Sequence, residues 1–340
     1  MATNRQKLFI SFYIIRASLF GIGYSRIFSL AESDAWISAI LGTLFGVIIV
    51  FLIKTIMNKK STLTLADYLK ENTLIKIAII ALCLYFILEE LTTLTNFMTS
   101  FYLLNTPNYI ISLCSIIICL YVISKGIHSI LKTSEIFFYL SILISVITLI
   151  ILSTYVDISH FRPILLISNN SLIKSTSIYA LYTTVPLITL LNLKNDGKDL
   201  IKLYLFSSLL LIILIIIITG IFGPEFVQIL RFPEYIILKR IKILSFIEKI
   251  ESLLSITYIL DNLFLTIMSL YTIITLINNK IISLISILFI YLFTSYFING
   301  NYINALNNYY LSPYIFILGL LIIIILAIKK KPKLQIQRDT

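Results

Sequence analysis

Four ionisable side chains stand in otherwise apolar stretches of this 340-residue sequence: Arg16, the adjacent Glu89 and Glu90, and Asp261, which Asn262 follows. An unpaired charge in hydrocarbon costs at least about 2.5–3.5 kcal/mol, so each needs a partner, a ligand or a polar crevice. By depth along their segments, Arg16 is expected to form a structural charge pair with Glu89 or Glu90; direct ligand or proton contact is the alternative. Asp261 and Asn262 suit a cation, a ligand amine, or a crevice without specific function.

The second constellation is backbone chemistry. In "RASLFGIGYSRIF", residues 16–28, Gly21 and Gly23 flank Ile22 inside an apolar segment. In "YALYTTVPLIT", residues 179–189, Thr183, Thr184 and Pro186 sit at the corresponding place of a later one. Proline removes a backbone donor and glycine lowers helix stability by roughly 1 kcal/mol, so both helices are expected to unwind there. Amides freed at a half-helix N-terminus attract an anion, and freed carbonyls attract a cation. The competing reading is close packing by small residues and a simple proline kink. Tyr85, Tyr182 and Tyr258 are candidates to line a small pocket or to serve as packing and interfacial anchors. Arg26 is expected to reach toward the outer mouth of such a cavity.

Other chemistries are not encoded. His128 and His160 lie in loops expected on opposite sides, and Cys83, Cys114 and Cys119 fall in apolar segments without metal-site spacing. With no phosphate loop or nucleophile elbow, the chain is expected to be no enzyme and to hold no metal or cofactor.

The elements that must position these groups follow from composition. A hydrophobic content of 59%, 13% charged residues and a mean hydropathy of +1.00 exclude a soluble domain of this length. Unbroken apolar runs such as "LLLIILIIIITGIF" point to membrane helices rather than a barrel. The net charge of +11 resides mostly in short loops and the tail "KKKPKLQIQR", which reflects topology and not a nucleic-acid surface. The first segment has no signal-peptide cleavage site and is expected to remain.

Ten spans are expected, starting near Lys7, Asp34, Leu74, Asn108, Thr133, Ser175, Asp199, Ile243, Ile281 and Pro313. With both termini cytoplasmic, the inside segments carry about two thirds of all Lys and Arg. "LRFPEYIILKRIK" is basic yet falls outside, and its helical spacing of apolar residues suits a surface helix or a cap on the bundle. Residues 1–328 then form one membrane domain, with repeats of about 7–155 and 175–328, and 329–340 a basic tail. Ten spans divide into five plus five, and an odd-numbered half inverts its successor.

Several stretches together resemble the B subunits of bacterial spore germinant receptors, the spore permease branch of the amino acid/polyamine/organocation transporters. They are "FGIGYSRIFSLAESDAWISAILGTLFG", "TLADYLKE", "TPNYIISLCSIIICLYVISKGIHSILKTSEIF", "HFRPIL" and "RFPEYIILKRIKILSFIEKIESLLSITYIL". The resemblance implies an all-α, LeuT-like fold of ten transmembrane helices, with helices 1 and 6 broken, in a germinant sensor. Such a sensor works with A and C subunits in the spore inner membrane and binds a small nutrient, typically an amino acid. Carried over, the pocket uses Gly21, Ile22, Gly23 and Tyr85, with span 8 contributing around Leu265 and Ser269; Glu89, Tyr182, Thr183 and Thr184 complete the candidate set. Departures from the family pattern are Pro186 at a position often acidic, Tyr258 at a tryptophan and Lys132 at an arginine. A proton- or sodium-coupled amino-acid permease and a non-binding scaffold subunit are the alternative functions.

Overall fold

The computed structural model describes residues 4–60, 63–70, 72–162, 164–165, 167–194, 197–227, 230, 232–240, 250–277, 287–289, 291–292 and 312–329. Every regular element among them is helical.

The first segment folds as two helices, α1 (Asn4–Ala17) and α2 (Ile22–Ala31). Between them the Leu19 amide bonds back to Arg16 O at 3.1 Å, and the Tyr24 amide reaches Leu19 O at 2.8 Å, so the α ladder is interrupted. Gly21 closes the break with φ +69° and ψ −97°, a conformation that side chains disfavour.

A short 3-10 turn, Glu32–Asp34, leads into α3 (Ala35–Lys59). Ser38, Gly42 and Gly46 recur one turn apart on α3, which lets neighbouring backbones approach. Ser38 Oγ lies 2.6 Å from Ser175 Oγ, and a Cβ on Gly42 would come within 2.9 Å of Tyr179 Cβ. The chain continues through α4 (Leu65–Tyr68), α5 (Thr73–Phe101), α6 (Asn108–Ser124) and α7 (Ile127–Ser153). Next come α8 (Asn169–Thr184), α9 (Leu200–Phe222), α10 (Pro224–Val227), α11 (Pro233–Arg240), α12 (Ile250–Ile277) and α13 (Ser312–Ile328).

The second expected break takes a milder form. At Val185 α8 passes directly into a 3-10 segment, Val185–Asn192, with Pro186 in its first turn. The chain tightens instead of unwinding, because Thr183 Oγ1 and Thr184 Oγ1 bond to carbonyls of the preceding turn, Tyr179 O at 2.9 Å and Ala180 O at 2.6 Å.

Gly23–Lys59, Ile127–Ser153, Leu200–Phe222 and Leu254–Ile277 are long and apolar enough to cross a membrane. Outward faces are apolar as well, with Leu44 and Ile48 on α3, Ile136 and Ile150 on α7 and Ile325 on α13 exposed. Arg16, Glu89, Glu90 and Asp261 are buried inside the same bundle. Apolar outside with charge inside is the arrangement of a multi-pass membrane protein. Eight of the expected spans, the first to the eighth, and the tenth fall on described helices; the fifth and sixth begin earlier than expected, at Ile127 and Asn169, and the expected start of the eighth lies outside the described residues. The ninth lies largely outside the described residues, and so does the tail beyond Lys329.

Candidate functional site

Among the described residues, three interior polar clusters hold Arg16, Arg26, Asp261 and the buried glutamates. At the break in the first segment, Ser18 Oγ donates to Glu90 Oε1 at 3.2 Å, and the Gly21 amide donates to Glu234 Oε1 at 2.9 Å. Glu90 and Glu234 are 2% and 1% exposed, and the second oxygen of each has no hydrogen-bond partner among the described residues. The α5 face bearing Glu90 continues through Thr93 and Phe97, spaced as helix neighbours are. Thr93 Cγ2 lies 3.3 Å from where a Gly21 Cβ would stand.

Glu234 reaches this depth because α11 folds over the break. Phe232 packs against Gly21 so closely that a Cβ there would meet its Cε1 at 2.8 Å. The Phe232 ring lies 5.5 Å from Phe97 and 5.8 Å from Phe101, while Tyr235 sits 4.3 Å from Phe101 and donates its hydroxyl to Tyr102 at 3.1 Å. Of the two placements expected for this basic segment, the structure shows the cap on the bundle. Burial pushes the Glu234 carboxyl up to about 8, against the pull of backbone hydrogen bonds from Gly21 and its own amide.

The second cluster corrects the expected charge pair. Arg16 pairs with Asp261, Nη2 to Oδ2 at 3.2 Å, and not with Glu89 or Glu90. Its other terminal nitrogen donates to Ser145 Oγ at 3.2 Å, and its guanidinium lies over the Phe12 and Phe20 rings. The reason is packing: α12 lies along α1, whereas Glu90 of α5 meets the chain two residues later, at Ser18. Asn262 donates to Tyr258 O at 2.9 Å, within its own helix, and does not join the pair.

The third cluster joins α2, α8 and α13. Arg26 Nη1 donates to the Tyr182 hydroxyl at 2.5 Å and to Ser312 Oγ, and Tyr182 and Ser312 lie 2.5 Å apart. Arg26 is 8% exposed, so it is held inside the bundle. Tyr182 stacks on Phe316 at 4.1 Å, and Tyr85 meets the same ring edge-on at 6.2 Å. Glu89 is buried within electrostatic reach of Arg26.

The sequence-derived candidates are thus divided among clusters. Gly21 makes the break, Ile22 is the first residue of α2, and Gly23 lies inside α2, where a Cβ would come 3.5 Å from Tyr182. Thr183 and Thr184 spend their hydroxyls on their own helix, and Thr183 also meets the Tyr204 hydroxyl at 3.2 Å. Leu265 and Ser269 are fully buried on α12, the Ser269 hydroxyl without a partner among the described residues. The reading of the sequence did not include Glu234, Ser18 or Ser312. For Glu234 a signal was present: it stands three and four residues before Ile237 and Leu238, on the apolar face of its helix.

A helical bundle with an apolar exterior, buried acids and an interrupted first segment defines a permease-like multi-pass membrane protein. The sequence profile described as "Spore germination protein", the spore permease family, matches residues 7–305, and the chain belongs to that family. It is 22% identical to spore germination protein KB of Bacillus subtilis (strain 168) over 259 residues, 72% of this chain and 69% of that protein. It is also 22% identical to the protein YfkT of the same organism over 236 residues, 66% of this chain. That match spans 65% of YfkT, just under two thirds of its length.

Proposed function

We propose that the chain is the membrane-embedded B subunit of a nutrient germinant receptor, and that the break in its first segment is where a small nutrient, an amino acid, is sensed. The reading places it in the spore inner membrane with both termini cytoplasmic, beside A and C subunits, as ten spans in two inverted halves. It assigns the chain no enzymatic step. The observation that carries it is the Gly21 amide, presented at a half-helix N-terminus inside the bundle and already engaged with a carboxyl group. A nutrient's carboxylate takes that amide, and its amine takes Glu90, whose second oxygen is unmatched among the described residues. Such a ligand signals only through different affinities for two bundle states.

Spores carrying Ser18→Ala or Glu90→Gln, challenged with single L-amino acids, test this. The expected result is a dose response shifted at least about tenfold at unchanged protein level, as loss of a charge-assisted hydrogen bond implies. An unchanged dose response in both variants would overturn the site. One observation favours a second reading, a scaffold subunit without a ligand: Glu234 already fills the seat. On that reading, calorimetry of the purified protein shows no heat of binding with any L-amino acid.

A further inference from the structure

Glu234 does at the break what a ligand's carboxylate would do. It comes from a segment outside the membrane-crossing helices, far along the chain from Gly21, and still delivers Oε1 to within 2.9 Å of the Gly21 amide. Its engagement is incomplete, since Oε2 finds no hydrogen-bond partner among the described residues although the side chain is 1% exposed. The helix it caps is a full ten residues long, Ile22–Ala31; the Tyr24 amide already bonds to Leu19 O at 2.8 Å, which leaves the amides of Ile22 and Gly23 as the leading ones without a partner within the helix. Phe232 lies over the same glycine, so the cap sits directly on the break, held by the rings of Phe97, Phe101 and Tyr258. A second buried acid, Glu90, reaches the break through Ser18 with one oxygen also unmatched among the described residues.

We infer that Glu234 is a built-in occupant of the anion seat of α2, and that a carboxylate-bearing ligand binds by displacing it and lifting α11 from Gly21. The inference rests on the reading of the break as the ligand site and names what guards it. In the closed form the seat is filled through one oxygen only. An ionised carboxylate that spans more than one leading amide of α2 makes bonds that Glu234 does not, and the half-helix N-terminus favours its charge. Displacement frees the rings of Phe232 and Tyr235 from those of α5 and α12, which converts occupancy of the seat into movement of the cap.

The test is hydrogen exchange, read by mass spectrometry on the peptide spanning 17–25, with the full chain in lipid nanodiscs. Glu234→Ala is expected to exchange about tenfold faster there than the wild type, as loss of a buried hydrogen bond implies. Excess sodium formate or acetate, against sodium chloride at matched ionic strength, is expected to restore protection in that variant and to leave the wild type unchanged. Glu234→Gln, which keeps the volume and a carbonyl acceptor, is expected to be intermediate and insensitive to formate; it supplies the comparison if the alanine variant does not fold. Wild-type exchange rates in both variants would overturn the inference. So would fast exchange in Glu234→Ala that neither carboxylate slows. No germinant enters this experiment, so its failure leaves the spore dose response standing, and a flat dose response leaves the exchange result standing.

Discussion

Arg16 Nη2 lies 3.2 Å from Asp261 Oδ2, tying the last turn of α1 to the middle of α12 with side chains 5% and 0% exposed. The pair ends the first half of the broken segment: one residue after Arg16 the α1 ladder stops, and Ser18 turns toward Glu90. The charge is thus anchored below the break and leaves the Gly21 seat to other groups.

Removing one partner strands the other in the interior. Asp261→Asn is expected to destabilise the protein by about 3–5 kcal/mol. The double variant Arg16→Met/Asp261→Leu, which removes both charges, is expected to cost less than Asp261→Asn alone. Thermal unfolding in nanodiscs checks the ranking; a double variant as unstable as the sum of the single ones would contradict an ion pair.

Two glycines separate backbone strain from close packing. Gly126 has φ +84° and ψ 161° with nothing within 4 Å of an added Cβ, so Gly126→Ala pays strain alone, about 1–3 kcal/mol. Gly21→Ala adds collision with Phe232 Cε1 at 2.8 Å and is expected to cost more. Adding Phe232→Ala should recover part of the difference, with a coupling energy above about 0.5 kcal/mol. Zero coupling in the double-mutant cycle would mean that the ring does not rest on the glycine.

These positions also mark what the sequence could reveal. The break was legible because the glycine pair interrupts an apolar run, and only a residue without Cβ suits both the φ of Gly21 and the approach of Phe232. The partner of Arg16 was not, because depth along a helix says nothing of azimuth: Glu89, Glu90 and Asp261 all sit at suitable depth, and helix packing chose among them. The second break was legible in place but not in form, since the hydroxyls of Thr183 and Thr184 could either bond to their own helix or line a site. Glu234 was legible as an acid on the apolar face of its helix but not as a group at the break, because the folding of its connecting segment back onto the bundle depends on aromatic contacts with α5 and α12.

Arg26 links α2 to α8 and α13 through Tyr182 and Ser312. Tyr182→Phe keeps the ring stacked on Phe316 and removes only the hydroxyl, so its cost reads the bonds of that hydroxyl to Arg26 and Ser312 together, at least about 1.5–3 kcal/mol. Hydrogen exchange in the first turn of α13, where Ser312 stands, is expected to rise with it. Wild-type stability in Tyr182→Phe would show that Arg26 is held by other groups.

The cap over Gly21 is expected to loosen as pH rises. In the closed form burial puts the Glu234 carboxyl at about 8, against an ordinary value of 4.5 once α11 lifts and water reaches it. The closed form therefore binds the proton more tightly, and the contribution of this group to closing is fully present below about 4.5 and lost as pH rises through about 8. The other ionisable groups facing the cap among the described residues are the phenols of Tyr24 on α2, Tyr102 just past the end of α5 and Tyr258 on α12, together with Glu90 at the break. Glu234→Gln retains all four, so the difference between wild type and variant reads Glu234 alone. Exchange protection of residues 17–25 and of α11, corrected for intrinsic rates and taken relative to Glu234→Gln, should fall between about pH 5 and about pH 9. A flat difference, or one that grows with pH, would mean that Glu234 does not carry the proton that holds the cap down.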